Sequence, residues 1–265
     1  MRSSNPAFSR NEAFTRNGYA TFDVATPSAE SLESQYGMAS PVRERAMTLE
    51  DVVTRTTILF VVLLATAVPT FFFAPPALLG PIWILGIIAT LGLGMVISFS
   101  KKVRPGLMIT YAAIQGVFVG GISAMYATAF GGPIVPQAVL GTLAAFAGML
   151  IAYRTGVIRA TKRFKKILII AGIGYFLFSL VNIGFVLFAG TSFYFDTGLL
   201  GVGLSLFGVV LASLFLVLDF DFIEQGIRNG VPEKFAWSAA FGLMVTLVWL
   251  YLEILRLLAI LRGGD

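Results

Sequence analysis

The sequence predicts an all-α integral membrane protein, a bundle of seven transmembrane helices. Two observations carry that prediction. The first is where charge is missing: residues 56–100, 105–153 and 167–195 contain no Asp, Glu, Lys or Arg. About 20 apolar residues cross a bilayer as a helix, and these stretches hold six or seven such spans. The second is the placement of the basic residues, which fall in every second loop. Composition agrees: 57% of the 265 residues are hydrophobic and 12% charged, where a soluble domain is about a quarter charged.

The first segment covers residues 53–74. Thr48 stands where an N-cap belongs, with Asp51 three residues on to complete a capping box. Pro75 and Pro76 close the segment, and the second covers 82–100. The third covers 106–130 and ends at Gly131, Gly132 and Pro133. The remaining four are expected at 137–153, 167–189, 197–218 and 235–261. No internal repeat is evident, which argues against an inverted-repeat transporter.

Orientation follows from the loops. Arg43, Arg45 and Arg55 flank the first helix start, and Lys101, Lys102 and Arg104 follow the second helix. Arg154, Arg159, Lys162, Arg163, Lys165 and Lys166 follow the fourth, and Arg228 and Lys234 follow the sixth. The alternate loops, around Pro75, Gly131 and Ser192, hold a single charge, Asp196. The positive-inside rule then puts the N-terminus in the cytoplasm and, after seven spans, the C-terminus outside. Arg262 is the exception, a basic residue on the outer side.

The net charge of +5 belongs to this topology signal and not to a phosphate-binding stripe, so nucleic acid is not an expected partner. Cysteine is absent, which excludes disulfides, thiol catalysis and thiolate metal sites. Histidine is absent too, which removes the usual zinc ligand and the usual base near neutral pH. Any pH sensing falls to carboxylates, and no cofactor is expected. Residues 1–50 are polar and rich in Ser, Asn and Ala, with no apolar core of the kind a secretory signal needs. They are expected to form a disordered cytoplasmic tail ahead of a transmembrane domain at 51–265. Asn5, Pro6, Phe8 and Phe14 leave open a docking motif within that tail.

Few residues within the spans can carry chemistry. Gly116, Gly120 and Gly121 in the third segment allow close backbone approach and read first as packing. Gln115 beside them and Asn182 in the fifth segment each want a partner in lipid, either a neighbouring helix or a solute pathway. Asp219, Asp221 and Glu224 crowd the inner end of the sixth segment. Asp221 is about 200° round the helix from Asp219, so the two point to nearly opposite sides. A carboxylate at depth is costly unless it is protonated, paired or wet. Glu253 lies well inside the last segment with Arg256 three residues on, on the same face. Two readings stay open and compatible: a self-neutralising pair, or a titratable group on an ion path. An intramembrane aspartyl protease also uses acids on two helices, but its Gly-x-Gly-Asp context is missing around Glu253. Enzymatic activity is therefore not expected.

These residues together resemble the Bax inhibitor family, the transmembrane Bax inhibitor motif superfamily, in its bacterial branch and most of all its actinobacterial members. Seven spans behind a polar tail carry the likeness, with the third-helix run Tyr111-Ala-Ala-Ile-Gln115-Gly-Val-Phe-Val-Gly120-Gly-Ile-Ser123. Leu218-Asp219-Phe220 is similar to the family's hydrophobic-Asp motif, and Leu250-Tyr-Leu-Glu253-Ile to its Leu-Tyr-Leu-Asp-Ile. The resemblance implies a bundle with the last helix near its centre, in a bacterial plasma membrane. It further implies a pH-sensitive cation leak, Ca²⁺ foremost, gated by a carboxylate pair on helices six and seven. By motif that pair is Asp219 and Glu253, which would also be transient Ca²⁺ ligands. Arg256, Asp221 and Gln115 are the candidate gate or pairing residues.

Three departures stand out. Residue 253 is Glu where the motif has Asp, and residue 115 is Gln where members often carry an acid. A straight last span entering at Phe235 would also place Glu253 about 27 Å deep, with Asp219 near the inner surface. Contact between them requires the part before Gly242 to lie outside the core. The alternative function is a non-conducting regulator of a membrane protease or stress complex, acting by protein contacts through the tail. A proton-coupled transporter is the third reading.

Overall fold

The computed structural model describes residues 45–100, 102–131, 133–190, 192 and 198–263. Seven helices account for nearly all of them: α1 Leu49–Phe73, α2 Pro76–Phe99, α3 Pro105–Phe130, α4 Ile134–Arg154, α5 Lys162–Ala189, α6 Leu199–Arg228 and α7 Ala236–Gly263. All seven are long and apolar enough to cross a membrane. The candidate docking motif at Asn5–Phe14, most of the expected tail and Asp196 lie outside the described residues.

Thr48 caps α1 as its sequence signalled. Its hydroxyl accepts from the Asp51 amide at 3.2 Å, and the Thr48 amide donates back to Asp51 Oδ2 at 2.9 Å. The expected boundary at 50/51 therefore falls inside α1. Just before the cap, Arg45–Thr48 is stapled to the α6–α7 connection. Met47 N donates to Val231 O at 2.8 Å and Glu233 N to Arg45 O at 2.8 Å. The Arg45 and Arg55 guanidinium groups reach Asp51 and Glu233 across the same seam.

Two other boundaries differ from expectation. Helix α2 begins at Pro76 and runs through Pro81, six residues ahead of the expected start. Pro76 sits in the first turn, where its missing N–H goes unused. Helix α6 continues to Arg228, ten residues beyond the expected end at 218. Its added turns are charged, and the two outermost acids have partners. Lys165 and Gln225 reach Asp221, and Tyr153 and Arg228 reach Glu224. The helix thus leaves the apolar zone with Asp221 and Glu224 paired, while Asp219 at the start of these turns keeps Oδ2 without a partner among the described residues.

Packing follows the small residues. At Gly116 and Gly120 of α3, an added Cβ would strike the backbone carbonyls of Leu63 and Ala67, so α1 and α3 lie backbone to backbone. Gly121 admits Ile82 and Gly86 admits Phe118, which seats α2 on α3. Gly172 lies against the Phe215 ring and joins α5 to α6. Helix α7 packs on α1, α3, α4 and α6, and it buries Leu243, Met244, Val248, Leu250, Leu255 and Ala259. It takes the central place that the resemblance implies. Arg262 pins its far end, donating to Gly131 O at 2.7 Å and Gln137 Oε1 at 2.8 Å. A basic residue away from the basic loops is thereby held by the α3–α4 turn.

Candidate functional site

Glu253 is the centre of a buried polar cluster drawn from α5 and α7 and closed by α6. Its residue is 2% exposed. Trp249, one turn earlier in α7, donates its indole N–H to Oε1 at 2.9 Å. Arg256 donates to Oε2 at 2.9 Å, and Tyr175 of α5 donates to the same oxygen at 2.8 Å. Arg256 Nη1 also reaches the Tyr175 hydroxyl at 3.3 Å. Helix α6 contributes only space: a Cβ on Gly208 would lie 2.5 Å from Oε2 and would also strike the Tyr175 hydroxyl. A carboxylate with three donors, one of them cationic, satisfies the conditions under which charge is kept in an apolar interior. Such a carboxylate holds helices together. With both oxygens engaged, it is poorly placed to bind a metal.

Asp219 occupies a different level. It faces Gly242 of α7, whose added Cβ would lie 3.6 Å from Oδ1, and Thr246 of α7 lies near the carboxylate. Its Oδ2 is buried and has no hydrogen-bond partner among the described residues. The structure brings Asp219 close to α7 but not to Glu253. Gly208, which faces Glu253, is eleven residues from Asp219 along α6, about 16 Å of helix axis.

The expected carboxylate dyad is therefore not formed. The reason is the one the depth argument raised: α7 is a continuous helix from Ala236, so no part of it before Gly242 lies aside to bring the two acids level. The same separation excludes joint ligation of one ion, since Ca²⁺ oxygens lie about 2.3–2.6 Å from the metal. Among the described residues no three acidic side chains converge as a metal site would need.

The other candidates divide. Arg256 pairs with Glu253 as its spacing predicts. Asp221 faces Lys165 of α5 and joins two helices at the basic end, away from Asp219. Gln115 is 6% exposed, and its Oε1 has no partner among the described residues. Asn182 accepts from Ser192 at 3.3 Å. Sequence reasoning did not identify Tyr175, Trp249 or Gly208. A signal existed for Trp249, an indole donor one helical turn before a buried acid. Nothing local marks Tyr175 or Gly208, because their roles arise only when α5, α6 and α7 meet. Ser205 was missed as well: it is fully buried, with its hydroxyl unpartnered among the described residues.

Fold and site thus define a polytopic membrane protein with one acid, Glu253, fully compensated and another, Asp219, whose Oδ2 has no partner among the described residues. The chain belongs to the Bax inhibitor family: the family model described as "Bax inhibitor 1 like" matches residues 5–263. No curated protein matches it.

Proposed function

We propose that the protein is a pH-responsive leak for cations, Ca²⁺ foremost, in a bacterial plasma membrane, with its basic loops on the cytoplasmic side. The observation that carries this reading is Asp219, a carboxylate within an apolar bundle whose Oδ2 has no partner among the described residues. At the inner end of an apolar run such a group is a functional candidate by default. The family's link to channel and regulatory roles in membranes supports the same reading. The separation of the two acids changes the mechanism expected from the resemblance. Asp219 is the cation-attracting group near the basic end. Glu253 with Arg256, Tyr175 and Trp249 is a latch farther along, holding α5 against α7. An ionised Asp219 attracts a hard cation and a protonated one does not, so flux rises with pH.

Calcium flux into liposomes containing the purified protein tests the proposal. Asp219→Asn should lower flux and flatten its pH dependence. Glu253→Gln should change the basal rate by loosening the latch. Unchanged flux in both variants at every pH would sink the mechanism.

A second reading is a non-conducting regulator. The staple of Arg45 and Arg55 to Glu233 favours it, because it joins the segment that follows the tail to the loop leading into α7. Deleting residues 1–45 separates the two: a lost phenotype with intact flux favours the regulator.

A further inference from the structure

At the basic end a cavity of about 710 Å³ lies between the α4–α5 connection and the last turns of α6. One wall is apolar, formed by Leu49, Leu150, Ile223 and Ile227. The rest carries Arg154, Arg159 and Arg228 together with Asp221 and Glu224. Both acids are already engaged, Asp221 by Lys165 and Glu224 by Arg228 and Tyr153. Arg154 and Arg159 have no carboxylate partner among the described residues, so the cavity keeps an excess of positive charge.

The backbone turns Arg159 back over the connection. Gly156 has φ +75°, and an added Cβ there would lie 3.3 Å from Arg159 Nη2. The depth is also informative. The apolar run of α4 ends at Tyr153 and that of α5 begins at Ile167, so the cavity sits at the edge of the hydrocarbon zone. Lys162, Arg163 and Lys166 follow at once in α5 and extend the basic surface. A pocket with a basic rim and an apolar wall at this depth matches a phospholipid, with phosphate at the rim and acyl carbons on the wall.

We propose that this cavity binds an anionic phospholipid, its headgroup phosphate held by Arg154 and Arg159. The full chain, purified in a neutral detergent, is tested by thermal unfolding with added phosphatidylglycerol, phosphatidylcholine or inorganic phosphate. Phosphatidylglycerol should raise the Tm of the wild type by several degrees. Arg154→Gln with Arg159→Gln should abolish most of that rise, while Lys102→Gln with Arg104→Gln in another basic loop should keep it. Equal stabilisation by phosphatidylcholine or by phosphate alone would overturn the proposal, as would equal loss in the two double variants. Native mass spectrometry of the wild type gives a readout free of any folding defect in the variants. Retention of phosphatidylglycerol above phosphatidylcholine supports the site, and no preference overturns it.

Discussion

Gly208 of α6 lies against the carboxylate of Glu253 of α7, so closely that a Cβ would stand 2.5 Å from Oε2. This contact sets the level of the buried acid against α6 and leaves room for Tyr175 to reach it. Gly208→Ala should expel one of the three donors. The expected loss is about 1–3 kcal/mol, the usual cost of overpacking. Tyr175 is the donor struck, and Trp249 reports the change: its indole donates to the other oxygen of the same carboxylate, so its emission should shift as that carboxylate moves.

Glu253 and Arg256 should fail singly and tolerate joint removal. Arg256→Met leaves a buried carboxylate without its cation and should cost on the order of 3 kcal/mol. Glu253→Gln with Arg256→Met together should recover much of that loss, because neither charge remains. Thermal unfolding of the three proteins in one detergent checks the ordering. Equal stability of the single and double variants would contradict the latch.

Asp219 and Glu253 should act independently. A shared-proton dyad demands strong coupling between substitutions at the two positions. Sites more than about 7–10 Å apart are additive within about 0.3–0.5 kcal/mol. The stability effects of Asp219→Asn and Glu253→Gln should therefore sum in the double variant. A coupling above about 1 kcal/mol would restore the dyad.

The seam between α1 and α3 gives a prediction that does not depend on function. Gly116→Ala meets the Thr66 hydroxyl and the Leu63 carbonyl, and the carbonyl cannot retreat without moving a helix. It should cost about 2–3 kcal/mol. At Gly92 of α2 nothing lies within 4 Å of an added Cβ, so Gly92→Ala should be neutral or gain up to about 1 kcal/mol. Unfolding midpoints of the pair would show whether close approach or helix propensity governs.

Local signals were reliable where the chemistry is local. The Thr48–Asp51 capping box and the Glu253–Arg256 pair each need residues three apart on one helix, and both formed. The third-helix glycines marked a packing seam, as small residues do in lipid. The apolar run of α6 ends at Leu218, but the helix does not. Lys165 partners Asp221, and Tyr153 and Arg228 partner Glu224, so the helix runs on through them.

By itself, the sequence determined that the chain crosses a membrane and where most of its seven helices lie. Lipid offers no hydrogen bonds to a bare backbone, so long apolar runs have little choice but helix. It also singled out the few acids worth attention. Only the tertiary structure decided which of them meet. The register of α6 against α7 is set by side-chain packing along two antiparallel helices, and no spacing within either one encodes it. That register puts Gly208, and not Asp219, beside Glu253.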